Sequence, residues 1–256
     1  MAWSWIQSNS GTNSSGASLT VSYTSNVSSG TKLICAVSVS TTSGSSPVTS
    51  VQDAALNSMT QVGGALNSGN CWVGLYAMDT PAGDVGTQPA IKVSLSDNNG
   101  CSVLIQEVSG LLAGNTTAMV DGTAATNTGS SALTAPSGTY STTAANEYLL
   151  AVFGDNGGPE TVTKPSRFTT TDTHSVNANG SANCLAAYVN SSGGSGEGGT
   201  NAEWSMTGGP YWGNILVAFK LGSGVTSGPA LPQQYRARRP AVVVSNAGWR
   251  GAQHSR

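Results

Sequence analysis

Charged residues are scarce in this chain of 256 residues. Only 9% of them are Asp, Glu, Lys or Arg, whereas ordinary soluble proteins contain roughly 25%. Glycine, serine, threonine, asparagine and alanine fill the gap. Because Glu, Lys and Arg favour helices and are few here, while turn formers and β-branched residues are abundant, the composition predicts strands and turns.

Targeting signals are also missing. The amino-terminal stretch MAWSWIQSNSG has neither the basic region nor the apolar region of a secretory signal. No apolar run approaches the roughly 18 residues that a membrane helix needs. We therefore expect a soluble protein that is made in the cytoplasm without membrane insertion. If it acts outside the cell, it must leave by a route other than a signal peptide.

The four cysteines, Cys35, Cys71, Cys101 and Cys184, form no CxxC pair, which gives a zinc site little support. Cys35 and Cys184 lie within apolar runs that predict strands. We interpret the cysteines as buried free thiols, since unpaired cysteine is among the most buried residue types. A disulfide is the alternative, and spacing alone does not choose among the connectivities.

Catalytic patterns are weak. His174 and His254 are the only histidines, and no GxSxG turn is present, so nucleophilic catalysis has little support. No strand carries the closely spaced acids of a simple glycosidase pair. Glu107 and Glu147 on separate strands are the remaining candidates for a facing pair, but nothing in the sequence requires that arrangement. We interpret Glu107 as a structural carboxylate that accepts hydrogen bonds from a neighbouring loop. We expect no enzymatic activity and no cofactor.

Two segments, DNNG at 97–100 and DNG at 155–157, resemble fragments of calcium loops. Neither has the alternating oxygen ligands and closing glutamate that such loops need. Turn chemistry is therefore the preferred interpretation, and we expect no bound metal.

Residues 90–111 show most clearly how the chain is predicted to fold. The first run, AIKVSL, alternates apolar and polar residues, which predicts a strand with one buried face. Asn99 and Gly100 both tolerate positive φ, so together they favour a tight turn. The next run, VLIQEV, is largely apolar on both parities, which predicts a central strand covered on both faces. We therefore predict a β-hairpin over this segment.

About ten to twelve short strands alternate with turn signals along the chain, without an amphipathic helix or a fixed-period repeat. This pattern predicts an all-β fold, an antiparallel β-sandwich of jelly-roll type with an extended C-terminal arm. We assign residues 1–222 to the sandwich domain and residues 223–256 to the arm, because the composition changes there.

The predicted arm and the body have opposite charge. Residues 1–222 contain five Lys or Arg against twelve Asp or Glu, a formal charge of −7, whereas the arm has five arginines and no acid; together they give the −2 of the chain. Nucleic acid is not the expected partner, since the arm is short, lacks lysine and follows an acidic body. We interpret the arm as a docking segment whose arginines pair with carboxylates, whose valines add to a sheet edge and whose tryptophan fills a pocket. The residues assigned to this role are Arg236, Arg238, Arg239, Val242, Val243, Val244, Trp249 and Arg250. A disordered tail is the alternative.

Four aromatic residues are candidates for a glycan-binding surface, on which rings stack against sugars. They are Trp3, Trp5, Tyr211 and Trp212. Because aromatic residues make up only 6% of the chain, core packing is the preferred interpretation for most of them.

Several segments resemble a known group of proteins. VQDAALN at 51–57, EVSGL at 107–111, EYLLAV at 147–152 and the GWRG near the end at 248–251 are similar in pattern to virion β-sandwich proteins of tailed phages, especially those of actinobacteria. The resemblance covers most of residues 1–221. It implies a structural role in the virion, as a minor tail or fibre protein or as a capsid decoration protein.

The same resemblance brings no catalytic residues. It implies that the partners are other virion proteins and further copies of the chain, and that the protein is located in the virion. The alternative function is a glycan-binding sandwich that attaches the particle to sugars of the host surface.

Overall fold

The computed structural model describes residues 2–41, 45–67, 71–114, 117–144, 146–156, 161–168, 170–174, 183–190, 201–208 and 210–222. The arm predicted over residues 223–256 lies outside the described part. The described secondary structure consists of sixteen strands and one short 3-10 helix. All strand pairings in it are antiparallel, which confirms the predicted all-β, antiparallel class.

Eight of the described strands form the first half of the body: β1 (Ser4–Asn13), β2 (Ser18–Ser22), β3 (Thr31–Ser40), β4 (Val48–Asp53), β5 (Thr60–Asn67), β6 (Cys71–Asp79), β7 (Ala90–Leu95) and β8 (Cys101–Ser109). They form a five-stranded sheet in the order β1-β8-β3-β6-β5 and a three-stranded sheet in the order β2-β7-β4. The two sheets enclose a core that includes Tyr23, Leu33, Val93 and Ile105.

Eight further described strands form the second half: β9 (Ala125–Gly129), β10 (Thr134–Pro136), β11 (Tyr148–Asp155), β12 (Val162–Thr163), β13 (Thr170–His174), β14 (Asn183–Asn190), β15 (Glu203–Met206) and β16 (Trp212–Phe219). The 3-10 helix Thr117–Met119 precedes them. Their sheets have the orders β9-β16-β11-β14-β13 and β10-β15-β12. The core between them includes Phe153, Trp204 and Leu216.

The two halves repeat one strand order. Adding eight to each strand number of the first half reproduces both sheets of the second half. Each half also uses a tyrosine to contact the main chain of its last strand. The Tyr23 hydroxyl donates to the carbonyl of Gln106 in β8 at 3.0 Å, and the Tyr140 hydroxyl accepts from the amide of Ala218 in β16 at 3.2 Å. The sequence shows no fixed period because corresponding strands differ in length: β1 has 10 residues and β9 has 5.

The two five-stranded sheets pack against each other in the middle of the body. Strand β3 lies against β11, β8 against β14, β6 against β16, β5 against β9 and β1 against β13. If each strand in these contacts is replaced by its counterpart in the other half, the same set of contacts results. This is the pattern of an isologous two-fold interface. The body therefore has four layers of sheet, and strands β3, β6, β8, β11 and β16 of the two five-stranded sheets are buried on both faces.

Two glycines allow the central sheets to approach closely. A Cβ atom added to Gly154 in β11 would lie 2.6 Å from Oγ of Ser38 in β3. A Cβ atom on Gly213 in β16 would lie 2.8 Å from Cγ2 of Val73 in β6. Because interiors are close-packed and these distances are shorter than van der Waals contact, a side chain at either glycine would force the halves apart.

The β-hairpin predicted over residues 90–111 is wrong. Strand β7 lies in the outer sheet between β2 and β4, whereas β8 lies in the central sheet between β1 and β3. Neither Asn99 nor Gly100 has a positive φ, and the segment between the strands crosses from one sheet to the other. The two strands join different sheets because their faces differ. A strand with one polar face suits an outer sheet, and a strand that is apolar on both faces suits a middle sheet. The central position predicted for the second strand is confirmed.

Candidate functional site

Glu107, the first acid considered as a catalyst, is a fully buried part of the hydrogen-bond network of the first half. Its Oε2 accepts from Nε2 of Gln7 in β1 at 2.7 Å. Its Oε1 accepts from the amide of Ser28 at 2.7 Å and from Oγ1 of Thr31 at 3.0 Å. Both carboxylate oxygens are thus satisfied, by β1, by the turn before β3 and by the first residue of β3. The predicted structural role of Glu107 is confirmed.

Glu147 has a different partner, Asp121, and both side chains are 2% exposed. Asp121 follows the 3-10 helix, and its carboxylate accepts hydrogen bonds from the amide of Thr143 and, at 2.7 Å, from Oγ1 of the same residue. Glu147 directly precedes β11, and its carboxyl group is hydrogen-bonded to that of Asp121. The fold therefore pairs Glu147 with Asp121 and leaves Glu107 with partners of its own.

The pair shares one proton. Burial first, and then the hydrogen bond and charge of Asp121, raise the pKa of Glu147 to about 8, while Lys220 acts in the opposite direction. Burial also acts to raise the pKa of Asp121, but hydrogen bonds from Thr143 and Glu147 outweigh it and lower that pKa. At neutral pH Glu147 is accordingly the protonated member and donates to the Asp121 carboxylate.

A cavity of about 260 Å³ adjoins this pair, and it is lined by Thr143, Ala144, Glu147, Lys220 and Leu221. It lies where the ends of the two halves meet, since Leu111 and Leu221 form an antiparallel bridge and the amide of Gly222 donates to the carbonyl of Gly110 at 3.0 Å. A cavity of this size is below the range of most small-molecule sites. The arrangement is suited to exchanging a proton with solvent and to holding the two ends together.

A second carboxyl pair joins two turns of the first half. Asp53 is 1% exposed and Asp84 is 8% exposed. Burial, followed by the charge of Asp53 and a hydrogen bond with it, raises the pKa of Asp84 to about 6. Asp53 belongs to the VQDAALN segment and closes its turn, because its Oδ1 accepts from the amide of Asn57 at 2.8 Å and Leu56 has a φ of 66°.

The four aromatic residues proposed for glycan binding are not brought together. The Trp3 ring lies edge-on to Tyr148, with centroids 4.7 Å apart, and Trp5 also packs against the central core. Tyr211 is 40% exposed, but Trp212 is only 3% exposed and lies in the core of the second half. Since Tyr148 is the first residue of β11 and Trp212 pairs with the last, the two groups are separated by about 23 Å along the strand. A shared stacking surface is therefore not formed.

The thiols of Cys35, Cys71 and Cys101 are free and buried, as predicted. Burial raises the pKa of all three, that of Cys101 to about 12, which makes them unreactive in the native fold. The side chains of Cys184 and His174, and the whole of His254, lie outside the described part. In the described part, no three His, Cys, Asp or Glu side chains are grouped to hold a metal ion.

Half of the acids of the body are buried. Of the twelve acidic residues in the chain, six are buried, namely Asp53, Asp84, Glu107, Asp121, Glu147 and Asp155. The formal charge of −7 is therefore larger than the charge that the described surface carries, and the pairing of the arm with acids of the body stays a prediction. The arm residues Arg236, Arg238, Arg239, Val242, Val243, Val244, Trp249 and Arg250 lie outside the described part.

The chain matches no protein-family model, no curated protein and no solved structure. In the described residues, no helix has the length and apolar character required to cross a membrane.

Proposed function

We propose that the chain is a structural, non-enzymatic component of a tailed-phage virion, either a minor tail or fibre protein or a capsid decoration protein. The body is the displayed block, and residues 223–256 anchor it through protein–protein contacts. Copies of the chain associate on the particle, and other virion proteins are the partners of the arm.

The observation that carries this proposal is the fusion of two sandwiches into one block by a fully packed central core. The winding of each half supports a jelly-roll type of sandwich, because the first and last strands are neighbours and most successive strands change sheets. Jelly rolls are common in viral capsid proteins.

The buried acids support a structural role. Glu107 in β8 connects β1, the turn before β3 and the start of β3, and Asp121 fixes the segment before β11 through Thr143. These buried acids thus contribute to a rigid fold, in which buried polar groups are hydrogen-bonded.

The burial of acids also bears on the partner of the arm. Few carboxylates remain exposed on the described body, so five arginines find too few there for bidentate pairing. We therefore place the main contact of the arm on a carboxylate-rich or sheet-edge surface of another virion protein.

The proposal is tested on purified phage particles assembled with the full chain or with a chain ending at Gly222. We expect mass spectrometry to find the full chain in the particles and the truncated chain to be lost from them. A second variant replaces Arg236, Arg238 and Arg239 by lysine. This change keeps the positive charge but removes the bidentate guanidinium, so we expect fewer copies of the chain per particle. A full chain absent from particles refutes the virion role, whereas a truncated chain at normal occupancy refutes only the anchoring role of the arm.

A further inference from the structure

A groove of about 260 Å³ lies along one edge of the first half. Strand β4 is the last strand of the outer sheet and β5 is the last strand of the central sheet, and the chain passes from one to the other through residues 54–59. The groove is lined by β4, by the end of this crossing, by the start of β5 and by Tyr76 of β6. The amide of Met59 donates to the carbonyl of Val51 in β4 at 2.9 Å. The groove therefore lies where the edges of the two sheets separate.

Both edge strands have an irregularity at the groove. The pairing of β4 with β7 shifts between Val48 and Ser50, and the pairing of β5 with β6 shifts between Gln61 and Gly63. Thr49 and Gln61, which lie at these two shifts, line the groove. Bulges redirect side chains and are frequent at sheet edges and beside binding sites. The two bulges thus place polar side chains at an opening that regular pairing would not provide.

The lining combines an apolar floor with a neutral polar rim. The buried members of the lining are Val51, Met59 and Tyr76. The exposed polar members are Thr49, Ser58 and Gln61. Among the described residues that line the groove, none is charged. The groove is therefore suited to an uncharged ligand that has both polar and apolar surface.

Tyr76 and Ser58 provide hydroxyl groups that can bind a ligand. Among the described residues, none forms a hydrogen bond with the Tyr76 hydroxyl, and this oxygen is not sealed from solvent. Burial raises the pKa of Tyr76, which keeps the hydroxyl a donor. Its ring is packed beside Trp72, with centroids 6.3 Å apart. The Ser58 hydroxyl accepts from Nε2 of Gln52 at 3.1 Å, so its own hydrogen remains available for donation.

We propose that this groove binds one neutral pyranose sugar unit, either free or at the end of a glycan. A pyranose has hydroxyl groups that donate and accept hydrogen bonds, which the rim can satisfy, and C–H faces that pack on an aromatic or apolar floor. The volume is below the range of drug-sized ligands, so the groove holds a single ring. The site shares no residue with the four aromatic residues considered from the sequence, and it adds a binding activity to the structural role proposed above.

The test is saturation-transfer-difference NMR on the full chain, with the methyl pyranosides of glucose, galactose, mannose and N-acetylglucosamine as probes. We expect at least one probe to bind with a dissociation constant of about 1–10 mM, since an open groove contacts few atoms of a small ligand. The methyl glycoside of glucuronic acid gives no signal, because no cation in the lining compensates its desolvation. Competition by a neutral polysaccharide that ends in the bound sugar identifies a glycan as the source, and lack of competition identifies a free sugar.

Two variants locate the bound sugar in the groove. Gln61→Ala and Tyr76→Phe each remove one hydrogen-bonding group, and each should weaken binding about 2–10-fold. Tyr76→Phe keeps the ring beside Trp72, so the fold is retained. The matched controls Gln88→Ala and Tyr211→Phe change exposed residues outside the lining and should keep the wild-type affinity.

The proposal is overturned if no neutral probe receives saturation from the wild type, or if both groove variants bind with wild-type affinity. Either result leaves the structural role untouched, because the presence of the chain in virions is measured separately on purified particles.

Discussion

The hydroxyl group of Tyr148, the first residue of β11, donates a hydrogen bond of 3.0 Å to Oε1 of Gln106 in β8. Both residues are 0% exposed. Since β8 belongs to the first half and β11 to the second, this bond joins the two five-stranded sheets within the central core. The interface between the halves therefore contains a specific polar contact in addition to apolar packing.

Replacing Tyr148 by phenylalanine tests the contribution of this bond. The change keeps the ring and removes one donor to a buried oxygen, so we expect the free energy of unfolding to fall by about 1–3 kcal/mol. Urea unfolding followed by fluorescence measures it. Tyr211→Phe is the matched control, since Tyr211 is 40% exposed, and it should change stability by less than about 0.5 kcal/mol. Equal effects of the two changes would contradict a role for the bond.

The close approach of the halves predicts a cost for Gly213→Ala. The new Cβ would lie 2.8 Å from Cγ2 of Val73 and 3.3 Å from Cβ of Ala65, and overpacking of this kind costs about 1–3 kcal/mol. Gly83→Ala is the control, because a Cβ there has nothing within 4 Å.

Rescue by a second substitution distinguishes overpacking from a backbone effect. Val73→Ala removes the methyl group that the new Cβ meets, so the double variant should lose less stability than the sum of the two single variants. Additive losses in a double-mutant cycle would show that Gly213 is required for another reason.

Strand type was predictable where burial on both faces is visible in the sequence. The runs around Leu33, Ile105, Leu150 and Val217 are apolar on both parities, and each belongs to a central five-stranded sheet. The pairing of β7 with β8 was predicted wrongly, because Asn99 and Gly100 describe only local turn preference. Which sheet a strand joins depends on which layers cover it, and no local signal carries that information.

The candidate site was less accessible to sequence reasoning. Glu107 was recognised as a structural acid because it ends a buried strand. Asp84 and Asp121 lie in polar segments, where an acid normally faces solvent. Only the folded chain brings Asp84 to Asp53 and Asp121 to Glu147, so both pairs were missed. Within these two pairs, a local signal of burial is the position of Glu147 immediately before a strongly buried strand.

Thiol accessibility tests the buried state of three cysteines. In a Cys184→Ser variant, Cys35, Cys71 and Cys101 remain, and all three are buried free thiols. We expect no reaction with Ellman's reagent in the native protein, because burial both blocks access and raises the thiol pKa. Three thiols should react after unfolding in guanidinium. Fewer than that number would indicate a disulfide among them.

The proton shared by Glu147 and Asp121 predicts a pH dependence of stability. Burial and Asp121 raise the pKa of Glu147 from the ordinary 4.5 to about 8 in the folded state. Between these two values the unfolded chain has released this proton while the folded chain retains it, so stability falls as the pH rises. The contribution is fully present below about pH 4.5 and is lost above about pH 8.

Glu147→Gln removes this titration while keeping a hydrogen-bond donor to Asp121. We therefore expect the melting temperature of the wild type to fall between about pH 6.5 and 8, a window chosen above the pKa of about 6 at Asp84, and that of the variant to stay flatter. Glu203→Gln, at an exposed position, should reproduce the wild-type slope. A wild-type slope of the opposite sign, or an unchanged slope in Glu147→Gln, would mean that Glu147 is ionised in the folded protein and that the pair is held by Lys220 instead.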